Sequence, residues 1–73
     1  MTIHNLMNAM NVHPEVIILV FDDTTGFCHY IGKYEDCTEG IYNKEIDTFT
    51  IEEIKEAKTG SMQVTEVRIY TEG

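Results

Sequence analysis

The sequence predicts an α+β domain. It reads as a small antiparallel sheet of three to four strands with two short helices, in the order α-β-β-β-α-β. Three observations lead there. The run Val16 to Phe21 is wholly apolar and mostly β-branched or aromatic, as in a strand at the middle of a sheet with part of each face covered. Two other segments repeat apolar residues at helical spacing, one near each end of the chain. Finally, 73 residues with one proline and no repeat or low-complexity stretch make one domain, 1–73, whose helices must bury their single apolar stripes on a shared sheet.

Taken in order, Thr2 to Met10 is the first helix. Ile3, Leu6, Met7 and Met10 fall on one face, Thr2 suits the N-cap, and Asn11 can end the helix in the left-handed region. Pro14 holds His13 extended and hands the chain to the apolar strand. Asp22-Asp23-Thr24-Thr25-Gly26 is a turn signal, so Phe27 to Tyr34 returns as a hairpin strand. Alternation puts Phe27, His29 and Ile31 on one of its faces and Cys28, Tyr30 and Tyr34 on the other. Glu35 to Gly40 is polar and acidic and reads as a loop. A third strand is expected over Lys44 to Phe49, with Glu45 and Asp47 projecting from one face. Thr50-Ile51-Glu52-Glu53 has the capping-box form, and Ile51, Ile54 and Ala57 continue as a stripe, which predicts a second helix over 51–58 ending at Gly60. Gln63 to Thr71 is the fourth strand, with a bulge near Val64 to Val67.

Charge is the most informative feature of this chain. Thirteen acidic residues stand against five basic ones, a net charge of −8, which argues against direct contact with nucleic acid or an anionic membrane. The whole excess lies in residues 15–53, where ten acids face only Lys33 and Lys44. Glu35, Asp36 and Glu39 form one cluster there, and Glu45 and Asp47 a spaced pair. Two readings compete. The acids can be a solvated face that keeps a small protein soluble, or a surface that meets a basic partner, its carboxylates standing in for a phosphate backbone. Tyr30 and Tyr34, four residues apart on one strand face, are either half-buried sheet residues or aromatic anchors for that partner.

Other chemistry is less well supported. Cys28 and His29 are neighbours on a strand and point to opposite faces, so they cannot easily share a zinc ion or act as a nucleophile pair. Asp22 to Gly26 lacks the alternating ligands of a calcium loop. Glu53-Ile54-Lys55 and Glu56-Ala57-Lys58 echo the Glu-x-Lys of some nucleases without a basic groove to go with it. No cofactor and no metal is expected. The absence of a basic leader, and an apolar run of only six residues, predict a cytoplasmic protein, host-cell cytoplasm for a phage product. Cys28 and Cys37 are accordingly expected as free, buried thiols.

The succession of amphipathic helix, His13-Pro14-Glu15, apolar strand, acidic glycine turn and Tyr42-Asn43-Lys44-Glu45-Ile46-Asp47 resembles the small acidic accessory proteins of phages and mobile elements of Gram-positive bacteria. In size, charge and α+β make-up the chain is also similar to anti-CRISPR proteins that mimic DNA. That resemblance implies a non-enzymatic inhibitor of a basic, nucleic-acid-binding host protein; the placement of charge points to Glu35, Asp36, Glu39, Glu45 and Asp47 as its contacts, with Tyr30 or Tyr34 as anchor. The alternative is a small structural or regulatory interaction module, a monomer or a homodimer through a strand edge, whose acidity serves only solubility.

Overall fold

A computed structural model of the chain describes residues 1–56 and 58–72. Helix α1 spans Ile3–Met10. Thr2 Oγ1 accepts from the Asn5 N–H at 3.1 Å, and Asn5 Oδ1 accepts from the Thr2 N–H at 3.0 Å. This is a capping box with Asn in the position usually held by Glu or Gln. Asn11 closes the helix at φ 51°, ψ 45°, the left-handed conformation that Asn tolerates.

Strand β1 (Ile17–Asp22) turns back into β2 (Cys28–Lys33) as an antiparallel hairpin. Asp22 Oδ1 accepts from the N–H groups of Thr24 and Thr25 at 2.8 and 2.9 Å, and Gly26 takes a φ of 75°. A single 3₁₀ turn at Tyr34–Asp36 and a one-turn helix α2, Glu39–Tyr42, replace the expected loop. A second hairpin follows, β3 (Ile46–Glu56) and β4 (Met62–Thr71).

The four strands form one sheet in the order β2-β1-β4-β3. It is mixed rather than antiparallel, because β1 and β4 run parallel. The cause lies in the connection. β2 leaves the sheet beside Val16, where β1 begins, and residues 34–45 carry the chain back along the sheet. β3 therefore starts beside Thr71, at the opposite end, and β4 returns in the direction of β1.

The predicted helix over 51–58 does not form. β3 begins two residues later than expected and continues without a break to Glu56; Ala57 lies outside the described residues. Thr48, Thr50, Ile51 and Ile54 are β-branched, and an isolated two-turn helix is marginal, so the ladder supplied by β4 prevails. The expected irregularity is present: β3 shifts register between Ile51 and Ile54, opposite Val64 to Val67.

Ile3, Leu6 and Met7 of α1 pack on Val16, Ile18, Val20, Val67 and Ile69, all buried. Fully burying one such side chain contributes about 1.5–3 kcal/mol. Buried Thr71 donates its hydroxyl to the Phe21 carbonyl at 3.3 Å. On the other face, Ile17, Leu19 and Phe21 are half-buried, with no element among the described residues packed over them. The expectation of at least partial cover on each face of β1 agrees with this: one face is buried and the other half-buried. The molecule measures 39 × 20 × 19 Å, its long axis set by the β3–β4 hairpin, which projects past the start of β1. No helix among the described residues is long and apolar enough to cross a membrane.

Candidate functional site

The carboxylates expected to act together are divided between the two ends of the sheet. Glu35 and Asp36 sit on the 3₁₀ turn where β1 begins, with the Glu35 N–H donating to the Pro14 carbonyl at 3.0 Å. Glu39 opens α2. Glu45 and Asp47 lie at the opposite end, where β1 and β4 finish, a six-residue strand or about 20 Å away. They are not the regular strand pair the alternation predicts. β3 begins only at Ile46, and its register slips between Ile46 and Thr48.

At that end the fold brings in acids that the linear charge count had not joined to them. The Asp23 N–H donates to the Thr71 carbonyl at 2.9 Å, and the Glu72 N–H donates to the Glu45 carbonyl at 3.2 Å. Asp22, Asp23, Glu45, Asp47 and Glu72 thus converge from the ends of β1, β3 and β4. The N-terminal ammonium accompanies them, meeting Glu45 Oε2 at 2.9 Å with both groups more than half exposed.

Two neighbours in this group titrate in opposite directions. A side-chain hydrogen bond with Asp47, aided by desolvation and by the charges of Asp47 and Asp22, raises the Asp23 pKa above the ordinary aspartate value. Two carboxyls can share such a bond only when one keeps a proton, so the bond itself favours the protonated form of Asp23. Asp22 is lowered, because the Thr25 and Thr24 backbone N–H groups stabilise its charged form. Glu72 and the Asp22–Asp23 turn were legible as acids but not as neighbours of Asp47; the β3–β4 pairing brings in Glu72, and the parallel placement of β1 beside β4 brings in Asp22 and Asp23.

Tyr30 and Tyr34 are both held internally. Tyr30 packs against the core and donates its hydroxyl to the Lys33 carbonyl at 2.7 Å. The Tyr34 hydroxyl lies 2.9 Å from His4 Nδ1, whose Nε2 is 3.2 Å from Asn8 Nδ2. Burial raises both phenol pKa values. Tyr34 belongs to the 3₁₀ turn, so the two tyrosines do not share one strand face.

A cleft of about 300 Å³, lined by His13, Glu15, Val16, Gln63, Val64 and Thr65, opens where β4 runs on past the start of β1. It lies apart from the convergent carboxylates. Among the described residues no group of three His, Cys, Asp or Glu side chains is placed to hold a metal ion. Cys28 and Cys37 are free thiols as expected, but Cys28 is exposed and only Cys37 is half-buried, its pKa raised by desolvation. No protein family, no curated protein and no solved structure matches this chain.

Proposed function

We propose that this chain is a protein-binding inhibitor that holds a basic, nucleic-acid-binding partner through its carboxylates and keeps that partner from nucleic acid. The observation that carries the reading is the convergence of Asp22, Asp23, Glu45, Asp47 and Glu72 at one end of a rigid sheet. The Asp23–Asp47 repulsion is the part a partner's lysine or arginine would relieve. A cation placed between the two carboxyls favours the charged form of Asp23, which adds differential affinity to long-range steering. Glu35 and Asp36, a strand's length away, provide a second acidic contact on the same molecule. On this reading the chain carries out no chemistry and works by occupying a groove meant for phosphates.

The test starts from affinity capture in nuclease-treated host lysate, followed by binding measurements on the captured protein in purified form. Affinity is expected to fall at least tenfold between about 50 and about 200 mM salt, the behaviour of a multi-charge contact. DNA should compete, and the combined Asp23→Asn, Glu45→Gln, Asp47→Asn, Glu72→Gln variant should bind weakly. Affinity unchanged by salt and by that variant would overturn the proposal.

A further inference from the structure

β4 runs on past the start of β1 with its inner edge open. The parallel pairing begins at Ile17 and Glu66, whereas β4 itself begins at Met62. β3 pairs along the outer edge of this stretch. On the inner edge no strand among the described residues pairs with 62–65. A turn closed by the Val16 N–H on the His13 carbonyl at 2.9 Å takes the chain off the sheet there. Alternate residues of a strand direct N–H and C=O to opposite edges, so roughly 13 Å of backbone presents donors and acceptors to this opening. The cleft of about 300 Å³ lies on that edge, between His13 and Glu15 on one side and Gln63 and Thr65 on the other.

The two faces of the sheet differ beside the opening. Towards α1 stand Val16 and Val64, which join the core, and Ile54, opposite Val64 and 49% exposed. On the face away from α1 stand Glu15, 3.9 Å from Lys33, and Glu53, directly opposite Glu66 and 3.3 Å from Lys55. Like charges opposed across a ladder are destabilising. Residues 13–16, 33–36, 52–56 and 58–68 together hold seven acids against four cations, a net charge of −3.

We infer that an extended basic segment of the partner adds to the sheet here as a strand, in line with β1 and hydrogen-bonded to the inner edge of β4. Its lysines or arginines meet Glu15, Glu53 and Glu66, and its alternate apolar residues meet Val16 and Val64. The inference rests on the reading of a basic partner and adds how that partner is gripped. Three features select this occupant. An open strand edge matches an extended backbone. Acids on one face and apolar side chains on the other match a segment that alternates with period two. The local acidic excess attracts a cationic segment and repels a second copy of net charge −8.

Nuclear magnetic resonance titration of the isotope-labelled chain with an acetylated, amidated hexapeptide of alternating lysine and valine tests it. At about 150 mM salt the expected result is saturable shifts of the Glu15, Gln63 and Thr65 amides. Only one set of alternate peptide amides faces β4. N-methylation of that set should weaken binding at least tenfold, and N-methylation of the other set less than twofold. A hexapeptide with glutamate in place of lysine should not bind. Glu15→Lys, at an exposed position and with the fold checked by circular dichroism, should weaken binding at least fivefold. The four-residue neutralisation at the far end of the sheet should change it less than twofold, since the separation exceeds the screening length. Absence of peptide binding, with the captured partner still held through the far carboxylates, overturns this inference alone. Peptide binding with a captured partner indifferent to salt and to the far-end variant overturns the proposed function alone. Equal effects of the two methylated sets, or the same amides shifting when the chain alone is concentrated, which places a second copy in the cleft, also overturn the inference.

Discussion

At the residue scale, the fold rests on a few close approaches. A Cβ at Gly32 would stand 2.8 Å from the Tyr30 hydroxyl oxygen, the group that binds the Lys33 carbonyl, so a larger residue there displaces that hydroxyl. Gly32→Ala is expected to cost about 1–3 kcal/mol in urea unfolding. Adding Tyr30→Phe should recover part of that loss, since it removes the nearest clashing atom, and additive losses would refute the contact. The aspartates make a signed pH prediction. Asp23 has a raised pKa in the folded chain, so its folded state is favoured at low pH, and that advantage is lost as pH rises through the raised value. Asp23→Asn should therefore raise the melting temperature at neutral pH. The gain should vanish below the ordinary aspartate value of 3.8. Asp22 has the opposite sign: its contribution is present above the unfolded pKa and lost as pH falls through its lowered folded value.

At the element scale, α1 and the β1–β2 hairpin were legible because their signals are local. A cap at Thr2, a left-handed stop at Asn11 and an acidic glycine turn act within a few residues of the structure they specify. Residues 51–56 misled for the same reason. Thr50 to Glu53 carries a genuine helix-start signal, yet the competing β ladder comes from β4, more than ten residues further on. Local preference of a few tenths of a kcal/mol per residue cannot outweigh a full set of ladder bonds. Two substitutions separate the roles. Thr2→Ala should lower stability by about 1 kcal/mol, the usual loss on removing a cap. Thr50→Asn would be neutral at a helix cap, but in β3 it should destabilise by up to about 1 kcal/mol because Asn is disfavoured in strands. Chemical denaturation of both variants decides the matter.

At the scale of the whole molecule, one helix on a four-stranded sheet makes a thin structure. Ile18 is fully buried beneath α1, and Ile18→Ala is expected to cost about 2–5 kcal/mol, comparable with the ~3–5 kcal/mol a core of this size supplies; that variant should be largely unfolded by circular dichroism. The sequence alone established an acidic α+β chain with a capped first helix, a central apolar strand, a hairpin, and its excess charge confined to the middle of the chain. Those properties depend on residue type and short spacing, which read directly from the chain. Which carboxylates become neighbours required the folded arrangement. It follows from the path of residues 34–45, which starts β3 beside Thr71 and lays β4 parallel to β1. Tyr34, Cys37 and Ile41 on that path pack against the core, and the Ile3 and Ile46 N–H groups donate to the Lys44 and Met1 carbonyls; contacts between residues so far apart in the chain leave no local mark.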